Sequence, residues 1–229
     1  MSSHGTAPGP LEELAAAVKP RLRGWIHLVA FPLAVASGAV LVAAAPTPAA
    51  RWSTAVFAVS AGLLFGTSAL YHRGTWSPRT LLLLKRLDHS NIFVIIAGTY
   101  TPLAVLLLSP ASARALLLVV WAGALLGVAF RVLWTGAPRW LYVPLYLLLG
   151  WGAVAYLPAC GRSGGAGVVW LVAVGGLLYS LGAAVYGFKR PDPSPRWFGF
   201  HEVFHALTVV AFAAHVGAVA LALGATTPG

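Results

Sequence analysis

The chain has 229 residues, of which 59% are hydrophobic and only 9% are charged. An average soluble domain is about 45–50% apolar and about 25% charged. The composition therefore excludes an ordinary soluble enzyme, a disordered chain and a nucleic-acid-binding module. The single cysteine, Cys160, excludes a disulfide framework and a zinc finger built from cysteines. What remains is an integral membrane protein.

Seven apolar segments follow a polar tail at residues 1–24, and each is close to the ~20 residues that cross a bilayer as a helix. We place the segments at about 25–44, 52–72, 88–108, 113–133, 138–157, 167–187 and 199–223. The connections between them are short and contain Pro, Gly or Arg. The sequence therefore predicts one all-α domain over 25–223, a bundle of seven transmembrane helices.

The distribution of Lys and Arg predicts the orientation of this bundle. Of the 15 Lys and Arg residues, all but three lie in the tail or near the loops after the second, fourth and sixth segments; the exceptions are Arg51, Arg114 and Arg162. Because cytoplasmic loops carry the excess of Lys and Arg, we expect a cytoplasmic N-terminus and an outside C-terminus in the plasma membrane. Lys and Arg residues on the cytoplasmic side would face anionic lipid head groups. Their number explains the net charge of +10, so the basic charge does not indicate nucleic-acid binding.

Polar residues cluster where three segments reach the predicted cytoplasmic side. Ser68 and His72 end the second segment, Asp88 starts the third, and His201 and His205 lie in the seventh. Ionisable residues within membrane segments are costly, so each is a functional candidate. His201 and His205 are four residues apart and share a helix face, and with His72 they offer three nitrogen ligands that suit an open, catalytic zinc site. Asp88 is positioned to orient a ligand or a water there.

The same part of the seventh segment contains the motif HExxH, from His201 through Glu202 to His205. In zinc proteases with this motif the glutamate is the general base. Membrane proteases with this motif need a further metal ligand downstream, commonly Asp or Glu. Neither residue type follows Glu202 in this sequence. The protease is therefore the weaker hypothesis. The roles of Glu202, of His27 near the inner end of the first segment and of His215 in the middle of the seventh stay open.

The polar pattern as a whole resembles that of a known family. Ser68-x3-His72, Asp88 and His201-x3-His205 in the last of seven segments are similar to the hemolysin III branch of the progestin and adipoQ receptor family, which is related to alkaline ceramidases. The resemblance covers about 25–223. It implies that the three histidines bind zinc, that Asp88 holds a water at the metal and that Ser68 lies beside it.

Two functions remain in competition. The first is zinc-dependent hydrolysis of an acyl lipid amide or ester, with Asp88 and Ser68 as catalytic residues and a membrane lipid as substrate. The alternative is a non-enzymatic pore-forming, cytolytic or lipid-sensing protein with structural zinc. A water-filled pore needs polar residues along a whole face, and four of the seven segments offer almost none. The oligomeric state stays open, because small-residue ridges such as Gly62-x3-Gly66 serve packing both within and between bundles.

Overall fold

A computed structural model describes residues 20–226, and the regular structure in that range is helical with no β-strand. It contains seven α-helices: α1 Trp25–Ala44, α2 Pro48–Arg73, α3 Pro78–Leu107, α4 Pro110–Leu133, α5 Arg139–Trp151, α6 Leu157–Phe188 and α7 Phe200–Thr226. A single 3₁₀ turn, Val154–Tyr156, stands between α5 and α6. Most of the predicted tail, residues 1–19, lies outside the described residues.

The described part of the chain has the surface of a membrane protein. Six helical segments are long and apolar enough to cross a bilayer, with α5 and α6 counted together as Arg139–Phe188. Large apolar side chains point outward along the bundle; Leu118, Leu126 and Leu148 are each more than 70% exposed. A surface of this kind is stable only when lipid covers it. The prediction of an all-α membrane protein is therefore confirmed.

Three helices begin at a proline that precedes the apolar segment predicted from the sequence. α2, α3 and α4 start at Pro48, Pro78 and Pro110, whereas the apolar segments start at about 52, 88 and 113. In each case a Ser or Thr accepts a hydrogen bond from a backbone N–H three residues later, and the proline occupies the first turn. The capping residues are Thr47, Ser77 and Ser109. The start of each helix is thus fixed by its cap, not by its hydropathy.

The connection predicted between the fifth and sixth apolar segments, at about 158–166, is mostly helical. α6 begins at Leu157 and continues through this stretch, and Gly165 alone has non-helical dihedral angles (φ 82°, ψ 172°). Glycine adopts a positive φ without steric cost, so the helix can break at this residue.

Contacts on either side of Gly165 show that α6 does not continue straight. The indole Nε1 of Trp151 donates a hydrogen bond to Ser180 Oγ at 2.9 Å. The hydroxyls of Tyr142 and Tyr186 lie 3.0 Å apart. A straight helix from Leu157 would carry Ser180 roughly 35 Å away from its start. The second part of α6 therefore runs back alongside α5.

Aromatic packing holds the centre of the bundle. Phe57 and Phe65 of α2 contact Phe212 of α7, with ring centroids 5.4 and 5.1 Å apart. Helices α1 to α4 each pack against the next, and α1 also packs against α7, which closes the bundle. Gly127 of α4 lies against the ring of Phe93, where any Cβ would collide. This packing brings the last turn of α2, the first half of α3 and the start of α7 together at one end.

Candidate metal centre

Three histidine side chains meet at this end of the bundle, which we call the histidine end. His72 comes from the last turn of α2, and His201 and His205 come from the first two turns of α7. One ring nitrogen of each lies within 4.8 Å of the other two. His72 and His205 are buried and His201 is half-buried. The structure thus brings together the three ligands that the sequence predicts.

The spacing of these nitrogens fits a single metal ion. His72 Nε2 and His201 Nε2 are 3.2 Å apart. Two nitrogens that each lie about 2.0–2.1 Å from a tetrahedral zinc are separated by roughly 3.3 Å. The same distance also allows a hydrogen bond between one neutral and one protonated nitrogen. The donor set, with three imidazoles and no thiolate, matches catalytic zinc sites that keep one position open.

Asp88 and Ser68 lie beside the histidines, as expected. Asp88 Oδ2 is 3.9 Å from His72 Nε2, and its side chain is 14% exposed. The Ser68 hydroxyl is near the Asp88 carboxylate. It is fully buried, yet it has no hydrogen-bond partner at normal geometry. Both residues line a cavity inside the bundle. An open carboxylate and an unpaired hydroxyl are therefore available to a bound molecule.

His27 of α1 supports the cluster from behind. Its ring is stacked on the ring of His205, with centroids 3.8 Å apart and planes inclined by 2°. Phe65 packs edge-on against it at 5.0 Å. His27 is 2% exposed, and neither of its ring nitrogens has a hydrogen-bond partner. Because stacked rings direct their nitrogens into separate planes, His27 packs against a candidate ligand and is not placed to join the set.

Glu202, the acidic residue of the HExxH motif, is turned away from the histidine nitrogens. One carboxylate oxygen accepts a hydrogen bond from Arg23 Nε. The other accepts one from the backbone N–H of Gly199 at 2.8 Å. A glutamate that bonds the N–H just before its own helix is one half of a capping box. Glu202 is 1% exposed and does not line the cavity. This arrangement disfavours the protease hypothesis.

A cavity of about 150 Å³ lies in the bundle next to the histidines. Its polar end is formed by Asp88, Ser68, His201 and His205. Most of the remaining wall is apolar and comes from α3, α5, α6 and α7, with Ile92, Ile95, Ile96, Leu147, Val172 and Phe204 among its residues. Ligand sites commonly combine an apolar wall with a few polar groups that fix orientation. This shape suits an apolar chain that carries a polar group at one end.

His215 also lines the cavity but is remote from the three candidate metal ligands. It follows His205 by ten residues on α7, which is about 15 Å along the helix axis. Its Nδ1 donates to the carbonyl of Ala211 at 2.8 Å, and its ring lies against Gly175. The ring centroid of Tyr179 is 5.6 Å away. His215 is thus a buried residue of the bundle interior and lies outside the ligand set.

Sequence reasoning missed the aromatic residues around the polar end. His89 Nε2 lies 3.2 Å from the hydroxyl of Tyr186, which in turn lies 3.0 Å from that of Tyr142. The Tyr146 hydroxyl donates to the carbonyl of His89 at 3.0 Å. The tyrosines lie on α5 and α6, whose polar residues have no regular spacing. These tyrosines come together only because the chain turns back near Gly165. No sequence motif predicts that contact.

Comparison with known proteins agrees with the expected family. The family model described as "Haemolysin-III related" matches residues 15–216. The chain belongs to the haemolysin-III related family. Its relatives include the Hemolysin-3 homolog of Bacillus subtilis (strain 168), which is 37% identical over 150 residues, or 65% of this chain and 70% of that protein. Hemolysin-3 of Bacillus cereus is 34% identical over 136 residues, or 59% of this chain and 61% of that protein.

Proposed function

We propose that this haemolysin-III related protein is a zinc-dependent hydrolase that cleaves an acyl lipid amide or ester in the plasma membrane. The observation that carries the proposal is the group of three histidine nitrogens within 4.8 Å of one another, at the polar end of an apolar cavity. His72, His201 and His205 would hold the metal. When bound, zinc would polarise a carbonyl and lower the pKa of a water molecule toward ~7.

The roles of the nearby residues follow from their positions. Asp88 takes a proton from the attacking water while the water oxygen bonds to the carbonyl carbon. It then delivers that proton to the amine or alcohol, which departs as its C–N or C–O bond to the carbonyl carbon breaks. The hydroxyl of Ser68, which has no other partner, donates to the carbonyl oxygen as negative charge develops there. The apolar wall holds the acyl chain and keeps bulk water from the reacting groups.

We also propose that residues 25–223 form one domain with seven membrane crossings, a cytoplasmic N-terminus and an outside C-terminus. The seventh crossing requires Arg139–Phe188 to cross twice. The contacts of Trp151 with Ser180 and of Tyr142 with Tyr186 support this, because they require antiparallel neighbours. The uneven distribution of Lys and Arg supports the orientation.

Cysteine labelling tests this topology. Arg162→Cys and Arg79→Cys are introduced separately into a Cys160→Ala background, and intact cells are treated with a membrane-impermeant maleimide. Both native arginines are exposed. We expect residue 162 to react in intact cells and residue 79 only after lysis. A residue 162 that stays unlabelled under both conditions would argue that Arg139–Phe188 crosses once.

Metal content tests the proposed site itself. Detergent-purified wild type is compared by mass spectrometry with His205→Ala and with His215→Ala, a matched control because both histidines are buried on α7. We expect about one zinc per chain in the wild type and the control and little in His205→Ala, because losing one of three protein ligands weakens zinc severely. A folded wild type without zinc would rule out the hydrolase.

The second candidate function is a cytolytic, pore-forming or lipid-sensing membrane protein with structural zinc. The name of the Bacillus cereus relative, Hemolysin-3, favours it. The apolar wall of the cavity disfavours a water-filled pore. Liposomes loaded with a dye separate the two functions, because a pore releases the dye without turnover. A hydrolase releases free fatty acid, and the Asp88→Asn variant would release it at least about 100-fold more slowly.

A further inference from the structure

Three basic side chains form a second polar group at the histidine end. They are Lys85 of α3, Arg131 of α4 and Arg139, the first residue of α5. Lys85 lies within electrostatic reach of both guanidinium groups. Arg131 is only 1% exposed even without surrounding lipid, so the protein itself covers this charge. We call these residues the basic cluster.

Local contacts position the cluster without neutralising it. Arg131 lies 4.3 Å above the ring of Tyr142 and reaches the carbonyls of Trp134 and Thr135 at 3.4 Å each. Arg139 lies 4.7 Å above the ring of Tyr186. The carbonyl contacts account for two of the five N–H donors of Arg131. Arg131 Nε and Arg139 Nη1 are buried and have no hydrogen-bond partner.

No carboxylate within residues 20–226 pairs with the basic cluster. This range contains three acidic residues. Glu202 is held by Arg23, Asp192 accepts the backbone N–H of Phe200, and Asp88 lies beside His72. The two other acids of the chain, Glu12 and Glu13, lie outside the described residues. Three neighbouring positive charges therefore have no counter-charge in the described structure.

Such an arrangement calls for a bound anion. A buried cation without a partner is unfavourable, and close like charges add to the cost. Arg139 also stands at the start of α5, where the helix dipole disfavours a cation and favours an anion. Pro138, the residue before α5, makes no side-chain hydrogen bond to the free N–H groups there. An anion at this point would satisfy both the helix end and the arginines.

We propose that Lys85, Arg131 and Arg139 form a binding site for a phosphate group. The planar fork of a guanidinium matches two oxygens of a phosphate, and a lysine adds a point charge. The phosphate comes either from a lipid head group at the membrane surface or from solution. The site adjoins the cavity through Tyr186. The ring of Tyr186 packs against the guanidinium group of Arg139, and its hydroxyl contacts His89. Both Tyr186 and His89 line the cavity. This proposal does not depend on the hydrolase function.

The test uses the full chain, delipidated in detergent, with defined probes. Native mass spectrometry measures binding of phosphatidic acid and phosphatidylglycerol, with oleate as an anionic lipid that lacks phosphate. Thermal unfolding is measured in inorganic phosphate and in chloride at equal ionic strength. The variants are Arg139→Gln and Arg131→Lys, which separately test whether either arginine is needed. Arg79→Gln is the control, because Arg79 is an exposed basic residue in the first turn of α3.

We expect Arg139→Gln to weaken binding of phosphatidic acid about tenfold or more, and Arg79→Gln to leave it within about twofold. Stabilisation by inorganic phosphate in the wild type would identify solution phosphate as a ligand, and binding of phosphate lipids alone would identify the head group. The proposal is overturned if oleate binds as tightly as phosphatidic acid. It is equally overturned if Arg139→Gln and the control Arg79→Gln weaken binding of phosphatidic acid to the same extent. A double variant, Glu12→Gln/Glu13→Gln, is measured in the same way. If phosphate bound to this variant and not to the wild type, the proposal would also be overturned, because the counter-charge of the basic cluster would then be the carboxylates of the tail.

Discussion

Asp88 and Glu202 are both acidic residues next to a histidine in the sequence, and the structure gives them opposite environments. Both carboxylate oxygens of Glu202 accept hydrogen bonds, from Arg23 and from the backbone of Gly199. Asp88 lines the cavity, close to the unpaired hydroxyl of Ser68. A carboxylate whose oxygens are both engaged contributes to stability, whereas an open one can exchange a proton with a ligand. Proximity in sequence to a histidine therefore does not assign catalysis.

Activity should distinguish these two carboxylates most strongly. Asp88→Asn keeps the shape of the side chain and removes the base. We expect turnover of an acyl lipid to fall by roughly 10²- to 10⁴-fold, the usual contribution of general acid–base catalysis. Fatty acid release per folded, zinc-loaded molecule is the measurement.

Glu202→Gln is the matched control in the same assay. Because the Glu202 carboxylate is directed at Arg23, we expect turnover per folded molecule within about threefold of the wild type. The opposite pattern would reverse the comparison. An inactive Glu202→Gln that still binds zinc, together with an active Asp88→Asn, would support the HExxH protease chemistry.

The second prediction concerns stability. Glu202→Ala leaves Arg23 without its carboxylate partner and removes the cap at the start of α7. We expect the free energy of unfolding to fall by about 3 kcal/mol, at the lower end of the range for a broken buried ion pair, because Arg23 is 19% exposed. Thermal unfolding in detergent measures the change.

A double-mutant cycle with Arg23→Gln isolates the ion pair from the cap. If the pair carries the effect, the two single changes cost more in sum than the double variant does. Asp88→Ala should be much less destabilising than Glu202→Ala, because no hydrogen bond at normal geometry holds its carboxylate. Equal losses at the two positions would mean that Asp88 is also structural.

The polar end of the site was predictable from the sequence because local rules determine it. His201 and His205 are four residues apart, and residues with that spacing share a face of any α-helix. The distribution of Lys and Arg predicts that the end of α2 and the starts of α3 and α7 lie on the same side of the membrane. Charged residues inside an apolar chain are few, so the candidates were few. The family followed from the same residues, and the match over 15–216 confirms it.

The helix starts were also present in the sequence, in a signal other than hydropathy. Thr47, Ser77 and Ser109 each precede a proline, a combination of capping residue and first-turn residue that marks a helix start. Hydropathy missed these starts because the first turns are amphipathic or charged. The largest difference is in α3, whose first ten residues include Lys85 and two arginines.

The cavity and the basic cluster could not be predicted from local patterns. The cavity depends on how α5 and α6 pack after the chain turns near Gly165. Arg131 and Arg139 sit at segment ends, where arginines ordinarily mark only the cytoplasmic side. Whether such an arginine faces lipid or the interior depends on tertiary packing. Only the structure shows that Arg131 is buried against Tyr142.

His27 should contribute to zinc binding by packing alone, and its substitution should have a smaller effect than that of Asp88 or Glu202. Like Asp88, the His27 side chain has no hydrogen bond at normal geometry, but like Glu202 it has a structural role, since its ring stacks on that of His205. His27→Phe preserves a flat ring, so zinc affinity should stay within about threefold of the wild type. His27→Ala removes the stack and should weaken zinc about tenfold, as loss of a group that supports a ligand does.

Competition with a fluorescent zinc chelator measures both His27 variants, beside wild type and His205→Ala. A graded series, with phenylalanine near wild type and alanine between wild type and His205→Ala, is the signature of positioning by packing. If His27→Phe lost zinc as completely as His205→Ala, the imidazole nitrogens of His27 would be needed at the metal. The stacked geometry would then have to change when the ion binds, because parallel rings 3.8 Å apart direct their nitrogens into different planes.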